Sequence, residues 1–274
     1  MNKTFDSFGL MVAYFTPNIM AAAHRHNEIE LNLLASGSMV YLFGAGQITV
    51  EAGQLAVFWG AVPHQLIHVD EGTQFHCVTL PLAWFLRWDL PTPFVQKILH
   101  GQLITEAARE NALDLAVFGR WSQDFAQGSA PHLHIILLEL EARLLRVALD
   151  SAPQNSTAPL VNSKAEAMAA YIAAHYTEAL TVEAIAGVVK LHPNYAMSLF
   201  RKTYHVSLLD YLTQHRITHA QRLLATTDLR VIDIALDCGF GSHSRFYEAF
   251  RHICNQSPGE YRAALNAPML VSPV

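Results

Sequence analysis

Two histidines and a glutamate occupy even positions in the segment 24–30 (HRHNEIE), so on an extended strand His24, His26 and Glu30 all face one way. Another histidine, His64, follows Pro63 at the end of a run that begins at Gly53. Three imidazoles and a carboxylate brought together have three uses. They can ligate a borderline divalent ion such as zinc, nickel, manganese or ferrous iron. They can hydrogen-bond a small molecule, or satisfy one another as a buried polar cluster. Tyr41 and Trp59, on neighbouring strand candidates, offer aromatic faces that suit a sugar ring and suit a core equally well. The candidate effector pocket is therefore His24, His26, Glu30, Tyr41, Trp59 and His64, with His24, His26, Glu30 and His64 as the candidate metal ligands. No nucleophile motif or glycine-rich phosphate loop occurs elsewhere, which leaves this cluster as the one catalytic candidate.

A second constellation is repeated. Ile185-Ala186, Leu191 and Phe200-Arg201 recur as Ile234-Ala235, Phe240 and Phe250-Arg251 about fifty residues later. Each copy reads as helix, short turn, helix, with alanine where two helices approach and a large apolar residue closing the turn. Gly239 follows the first helix of copy two, where a left-handed backbone is usual; Lys190 takes that place in copy one. His192 and Ser242 are positioned to cap the second helices, whose core residues are expected to be Ala196, Leu199 and Phe200 in one and Phe246, Tyr247 and Phe250 in the other. The opposite faces carry Asn194, Met197, Ser198 and Arg201, and His243, Ser244, Arg245 and Glu248. These side chains can read base edges: Asn suits adenine, Arg suits guanine, Glu suits cytosine. An ordinary solvated helix face would present similar residues.

The elements needed to hold these groups follow from the pattern. Short β-prone runs at 29–34, 39–43, 47–50, 55–59 and 75–80, punctuated by glycine, predict a small barrel or sandwich. After Pro81 the texture is helical, with amphipathic candidates at 94–103, 113–125 and 133–149. The last has an apolar stripe at Leu133, Ile136, Leu137, Leu140, Leu144 and Val147 that serves core packing or dimerisation. Residues 150–163 (DSAPQNSTAPLVNS) read as an interdomain linker. Beyond it, Thr181, Ser207 and Asp228 are candidate helix caps. The fold class is α+β in two domains: 1–150 for effector binding and dimerisation, a linker at 151–163, and an all-α domain at 164–266. The net charge of -5 hides an asymmetry, since the back part is nearly neutral and the front part acidic. Three cysteines without paired spacing suggest neither disulfides nor a zinc ribbon. The first ten residues lack the pattern of a signal peptide, and no run approaches the roughly 20 apolar residues of a spanning helix. A cytoplasmic protein without membrane contact is expected.

The runs 232–240 (IDIALDCGF), 244–251 (SRFYEAFR) and 256–262 (QSPGEYR) resemble the AraC family of bacterial transcription regulators, and the likeness covers residues 164–265. It implies two helix-turn-helix motifs joined by a long helix, both reading the major groove of double-stranded DNA. Asn255 stands where that family usually has glycine. In the front domain, the spacing of His24, His26 and Glu30 with a later His64 resembles the cupin signature, which implies a β-barrel sensor. The stretch 26–64 is most similar to the melibiose-operon regulators of the family, implying a sugar effector, an α-galactoside among the candidates. The resemblance further implies a homodimer and, in an activator, RNA polymerase as a partner. No enzyme activity is expected and no cofactor beyond a divalent metal in the barrel; the alternative is a metal-binding cupin enzyme fused to a DNA-binding domain.

Overall fold

The computed structural model describes residues 9–44, 46–106, 111–150, 163–204 and 206–266. The expected linker falls mostly at 151–162, and most of the first ten residues precede Gly9; both lie outside that set. The front domain has strands β1 (Met11–Phe15), β2 (Glu28–Ser36), β3 (Ser38–Phe43), β4 (Gly46–Glu51), β5 (Leu55–Trp59), β6 (His64–Val69), β7 (Gln74–Pro81) and β8 (Ile104–Glu106). Its helices are α1 (Leu82–Phe85), α2 (Thr92–Leu99), α3 (Asn111–Gln127) and α4 (Ala130–Asp150). All five expected strands form, and β1, β6 and β8 join them.

These strands make two sheets rather than one closed barrel, of order β1-β7-β2-β5-β8 and β4-β3-β6. The reason β2 is apolar with an embedded polar triplet lies in its position. Its Ile29, Leu31 and Leu33 join a core with Phe85, Phe94, Phe118, Trp121 and the buried stripe of α4, covering one face. On the other face, Glu28, Glu30 and Asn32 look between the sheets, where Tyr41, Phe43, Phe58, Leu66 and Phe75 pack. A strand covered on both faces needs no solvent-facing row. Arg143 of α4 fixes the outer layer by pairing with Asp114 at 2.7 Å and Glu106 at 2.6 Å.

The back domain is helical: α5 (Lys164–His175), α6 (Val182–Val188), α7 (Pro193–Tyr204), α8 (Leu208–Thr226), α9 (Val231–Asp237), α10 (His243–Cys254) and α11 (Pro258–Asn266). Ser163 and Glu166 form a capping box at α5, and Thr181 and Ser207 cap α6 and α8. Asp228 does not cap α9: the helix starts after Arg230, whose guanidinium instead pairs with Asp233. Two cores divide the domain, one on Ile185, Ala186, Ala196 and Phe200, the other on Ile234, Ala235, Phe246 and Phe250, with α8 contributing to both. Among the described residues no helix is long and apolar enough to cross a membrane.

Candidate DNA interface and effector site

In both repeats the turn is built alike. The amide of Leu191 donates to Ala186 O and that of Phe240 to Ala235 O, each at 3.0 Å. Lys190 and Gly239 take the left-handed conformation, with φ of 52° and 81°. Glycine at 239 has a second cause: a Cβ there would lie 2.6 Å from the carbonyl oxygen of Thr177. Ser242 caps α10 by accepting from the Arg245 amide, and Asn255 ends it at φ 56°, a conformation asparagine tolerates.

Ala196, Phe200, Phe246 and Phe250 are buried, which turns Asn194, Met197, Ser198 and Arg201 on α7, and His243, Ser244, Arg245 and Glu248 on α10, outward. Among the described residues none of these eight side chains is committed to a hydrogen bond or ion pair within the chain. Tyr247 is a correction: it is 46% exposed, because one residue after the buried Phe246 is a rotation of about 100° out of the core. It shares the outward face of α10, as Tyr195, 59% exposed, shares that of α7; the helical period could have marked both. The 19-residue α8 between the repeats is about 28 Å long.

Between the two sheets, His24, His26, Glu30 and His64 come together with one ligand atom of each within 4.8 Å of the others. His24 and His64 form an isolated backbone bridge, and His26 donates its amide to Gly60 O at 3.0 Å. Gly60 lies so close that a Cβ would fall 2.1 Å from the His26 ring. His26 Nε2 meets Glu30 Oε2 at 2.8 Å, and its Nδ1 lies 3.2 Å from Glu28. Asn32, two residues along the same face and so marked by the same alternation, donates to Glu30 Oε1 at 2.7 Å and to the Tyr41 hydroxyl at 2.8 Å. Trp59 is not brought to this cluster. Register pairs Glu30 with Phe58, so Phe58 points inward with Glu30 and Trp59 points to the helical layer, where it is fully buried.

The electrostatics of the cluster are uneven. Burial alone would lower the His26 pKa, but hydrogen bonds and charge from Glu28 and Glu30 outweigh it and raise it to about 9. Burial likewise opposes ionisation of Glu30, yet the hydrogen bond and charge of His26, with the Asn32 donor, hold it down to about 2. His64 is pushed down to about 3 by burial and then by His24, so it is neutral. Its Nδ1 donates to Val62 O at 2.9 Å, which leaves a lone pair on Nε2 facing Glu30 Oε2 at 3.6 Å. His64 Nε2 has no hydrogen-bond partner, whereas Glu30 Oε2 already meets His26, so a hydroxyl donating to Nε2 or a cation shared by the two atoms would satisfy it.

The two domains meet through side chains. Arg25, buried between the two histidines in sequence but pointing away from them, donates from Nε to Ala61 O at 2.7 Å. Its Nη2 donates to Thr218 Oγ1 at 2.7 Å and Gln221 Oε1 at 3.3 Å, both on α8. Thr218 donates to Ala61 O at 3.0 Å, and Tyr211 of α8 donates to Gly44 O at 2.8 Å.

Paired helix-turn-helix units with outward-facing second helices, joined by α8 and docked beside a sheet domain, define the class, a DNA-binding protein. Comparison with known proteins agrees: a family model described as a helix-turn-helix domain matches residues 185–264. The chain is 30% identical to the melibiose operon regulatory protein of Escherichia coli strain K12 over 92% of this chain and 86% of that protein. It is 26% identical to the arabinose operon regulatory protein of Salmonella typhimurium strain LT2 over 85% of this chain and 83% of that one. The DNA-binding domain of AdpA, solved with a target DNA, is 30% identical, with a TM-score of 0.38 over 39% of this chain and 97% of that domain. The chain belongs to the AraC family and is a DNA-binding transcription regulator.

Proposed function

We propose that this regulator answers to a sugar held between the two sheets of its front domain. The observation that carries the reading is the buried polar cluster in which His64 Nε2 lacks a hydrogen-bond partner 3.6 Å from Glu30 Oε2, backed by Asn32 and the Tyr41 hydroxyl and walled by Phe58, 5.0 Å from His64. Hydroxyl groups supply donors, and the aromatic wall suits a ring face. The names of the melibiose and arabinose operon relatives favour the same chemical class. Fluorescence anisotropy on fragments from the protein's own upstream region, at fixed salt and with a panel of sugars including α-galactosides, tests it. Selective binding altered by one sugar, with the response abolished by Glu30→Gln, is the expected result. Selective binding indifferent to every sugar overturns the sugar reading.

The same four residues favour a second reading, in which His24, His26, Glu30 and His64 hold a divalent ion, since a neutral imidazole lone pair and a carboxylate are ordinary ligands for one. Metal analysis of the purified protein separates the two. A dimer is part of the proposal. Outside its buried stripe α4 exposes Ile135, Leu138, Ala142, Leu145 and Leu149, the three-four spacing of a two-helix seam. Leu138→Glu with Leu145→Glu should convert a dimer to a monomer in analytical ultracentrifugation; a wild-type monomer removes the seam. Activation by contact with RNA polymerase would be read by transcription in vitro.

A further inference from the structure

A cavity of about 340 Å³ separates the sheet domain from the back domain. The front domain contributes Phe43, Ile48, Val62, Leu99 and His100, and the back domain contributes Ala173, Tyr176, His215, Thr218, His219 and Arg222. Its volume falls in the range of small-molecule sites. The polar groups on its wall are one-sided, since no acidic side chain is among the described residues that line it. Arg222 carries a full positive charge, and among the described residues it has no carboxylate partner. The interaction shown for its guanidinium is with His100 Nε2, and the Nδ1 of the same ring lies 2.6 Å from Gln96 O. His215 Nε2 and His219 Nδ1 are buried without a hydrogen-bond partner. Burial, aided by Arg25 at His215 and by Arg222 at His219 and opposed by Asp237 at His219, pulls both imidazoles down to about 4, so among the lining side chains the guanidinium is the fixed charge. Arg222 is half-buried at the wall and makes no ion pair with a carboxylate among the described residues, so its remaining guanidinium donors are open to an anion in the cavity.

We infer that this interdomain cavity is a binding site for a small organic anion, with a carboxylate or phosphate head on Arg222 and an apolar body against Phe43, Ile48, Val62 and Leu99. A single cation calls for a single head group, and the apolar wall excludes a bare inorganic ion. Because α8 forms one wall and the sheet domain the other, such a ligand ties the rod between the two DNA-reading units to the sensor domain. The site is separate from the cluster around Glu30, and the inference stands whatever that cluster binds.

The test is isothermal titration calorimetry of the full chain at fixed ionic strength with three probes of one body: phenylacetate, phenyl phosphate and neutral benzyl alcohol. One anion, or both, is expected to bind one per chain at least ten-fold more tightly than the alcohol, and whichever binds identifies the head group. Arg222→Gln should lower that affinity ten-fold or more. Ala173→Leu, which fills the cavity without touching charge, should do the same and stands in if the arginine variant fails to fold. Glu30→Gln should leave it unchanged. Equal binding of alcohol and anions, anion binding that survives both cavity variants, or loss caused by Arg245→Ala on the DNA-reading helix would each overturn the assignment.

Discussion

Replacing Arg25 by alanine removes the most direct link between sensor and reader. The guanidinium makes two contacts across the domain boundary, to Thr218 at 2.7 Å and Gln221 at 3.3 Å, and one within the sheet domain, to Ala61 O. Hydrogen bonds from a charged donor are worth about 1.5–3 kcal/mol each, and the longer one falls at the bottom of that range. Truncation also relieves a cation whose burial pulls its pKa down to about 10, which returns part of the loss. The net effect on docking is about 2–3 kcal/mol, or roughly a 30- to 150-fold shift toward the undocked arrangement. Thr218 and Tyr211 still reach the sheet domain in the variant, so the chain remains folded. Hydrogen exchange should show lost protection along the α8 face that meets residues 60–64, and operator affinity should cease to respond to the effector. Arg25→Lys, a point charge that cannot serve three acceptors at once, should fall between. Unchanged exchange and an unchanged effector response in Arg25→Ala would refute the idea that this arginine couples the domains.

Other outcomes follow from single contacts. Arg245→Ala should cost about 1–3 kcal/mol of operator binding and relax specificity at one base pair; equal weakening on every sequence would make it a phosphate contact. Gly239→Ala meets both a φ of 81° and the Thr177 carbonyl, so thermal unfolding should show a loss of more than about 1 kcal/mol, whereas Lys190→Gly should gain up to about 1 kcal/mol; the opposite order would contradict the shared turn geometry. His215 and His219 have folded pKa values near 4, below the ordinary 6.5. Their contribution to stability is complete above pH 6.5 and falls as pH drops toward 4, because the unfolded chain takes up protons first. The melting temperature of His215→Gln with His219→Gln should therefore depend less on pH than wild type between 7 and 4; parallel curves would dismiss the effect.

Alternation and helical period carried much of the fold into view. Runs rich in Val, Ile, Leu and Phe marked the interior strands, while β6 escaped because His64, Gln65 and His68 dilute its apolar pattern. Parity placed His24, His26 and Glu30 on one face and could have added Asn32, but it could not orient Trp59. That depended on pairing Glu30 with Phe58, a register fixed by contacts distant in sequence. The outward placement of the eight candidate residues on α7 and α10 followed from periodicity, and the same rule applied strictly would have moved Tyr247 outward. Arg25 was invisible as a functional residue, since an odd position between two histidines says only that it faces away from them. What it faces is α8, more than 190 residues later in the chain.

If the outward faces of α7 and α10 meet bases, their unequal side chains would give the bound protein a heading. Asn194, Met197, Ser198 and Arg201 on one unit and His243, Ser244, Arg245 and Glu248 on the other would then prefer different bases. The two halves of one protomer's site would not be interchangeable, and turning that site end for end would mismatch both. A single copy on DNA would thus distinguish upstream from downstream, a sense of direction that a symmetric pair of identical motifs would lack.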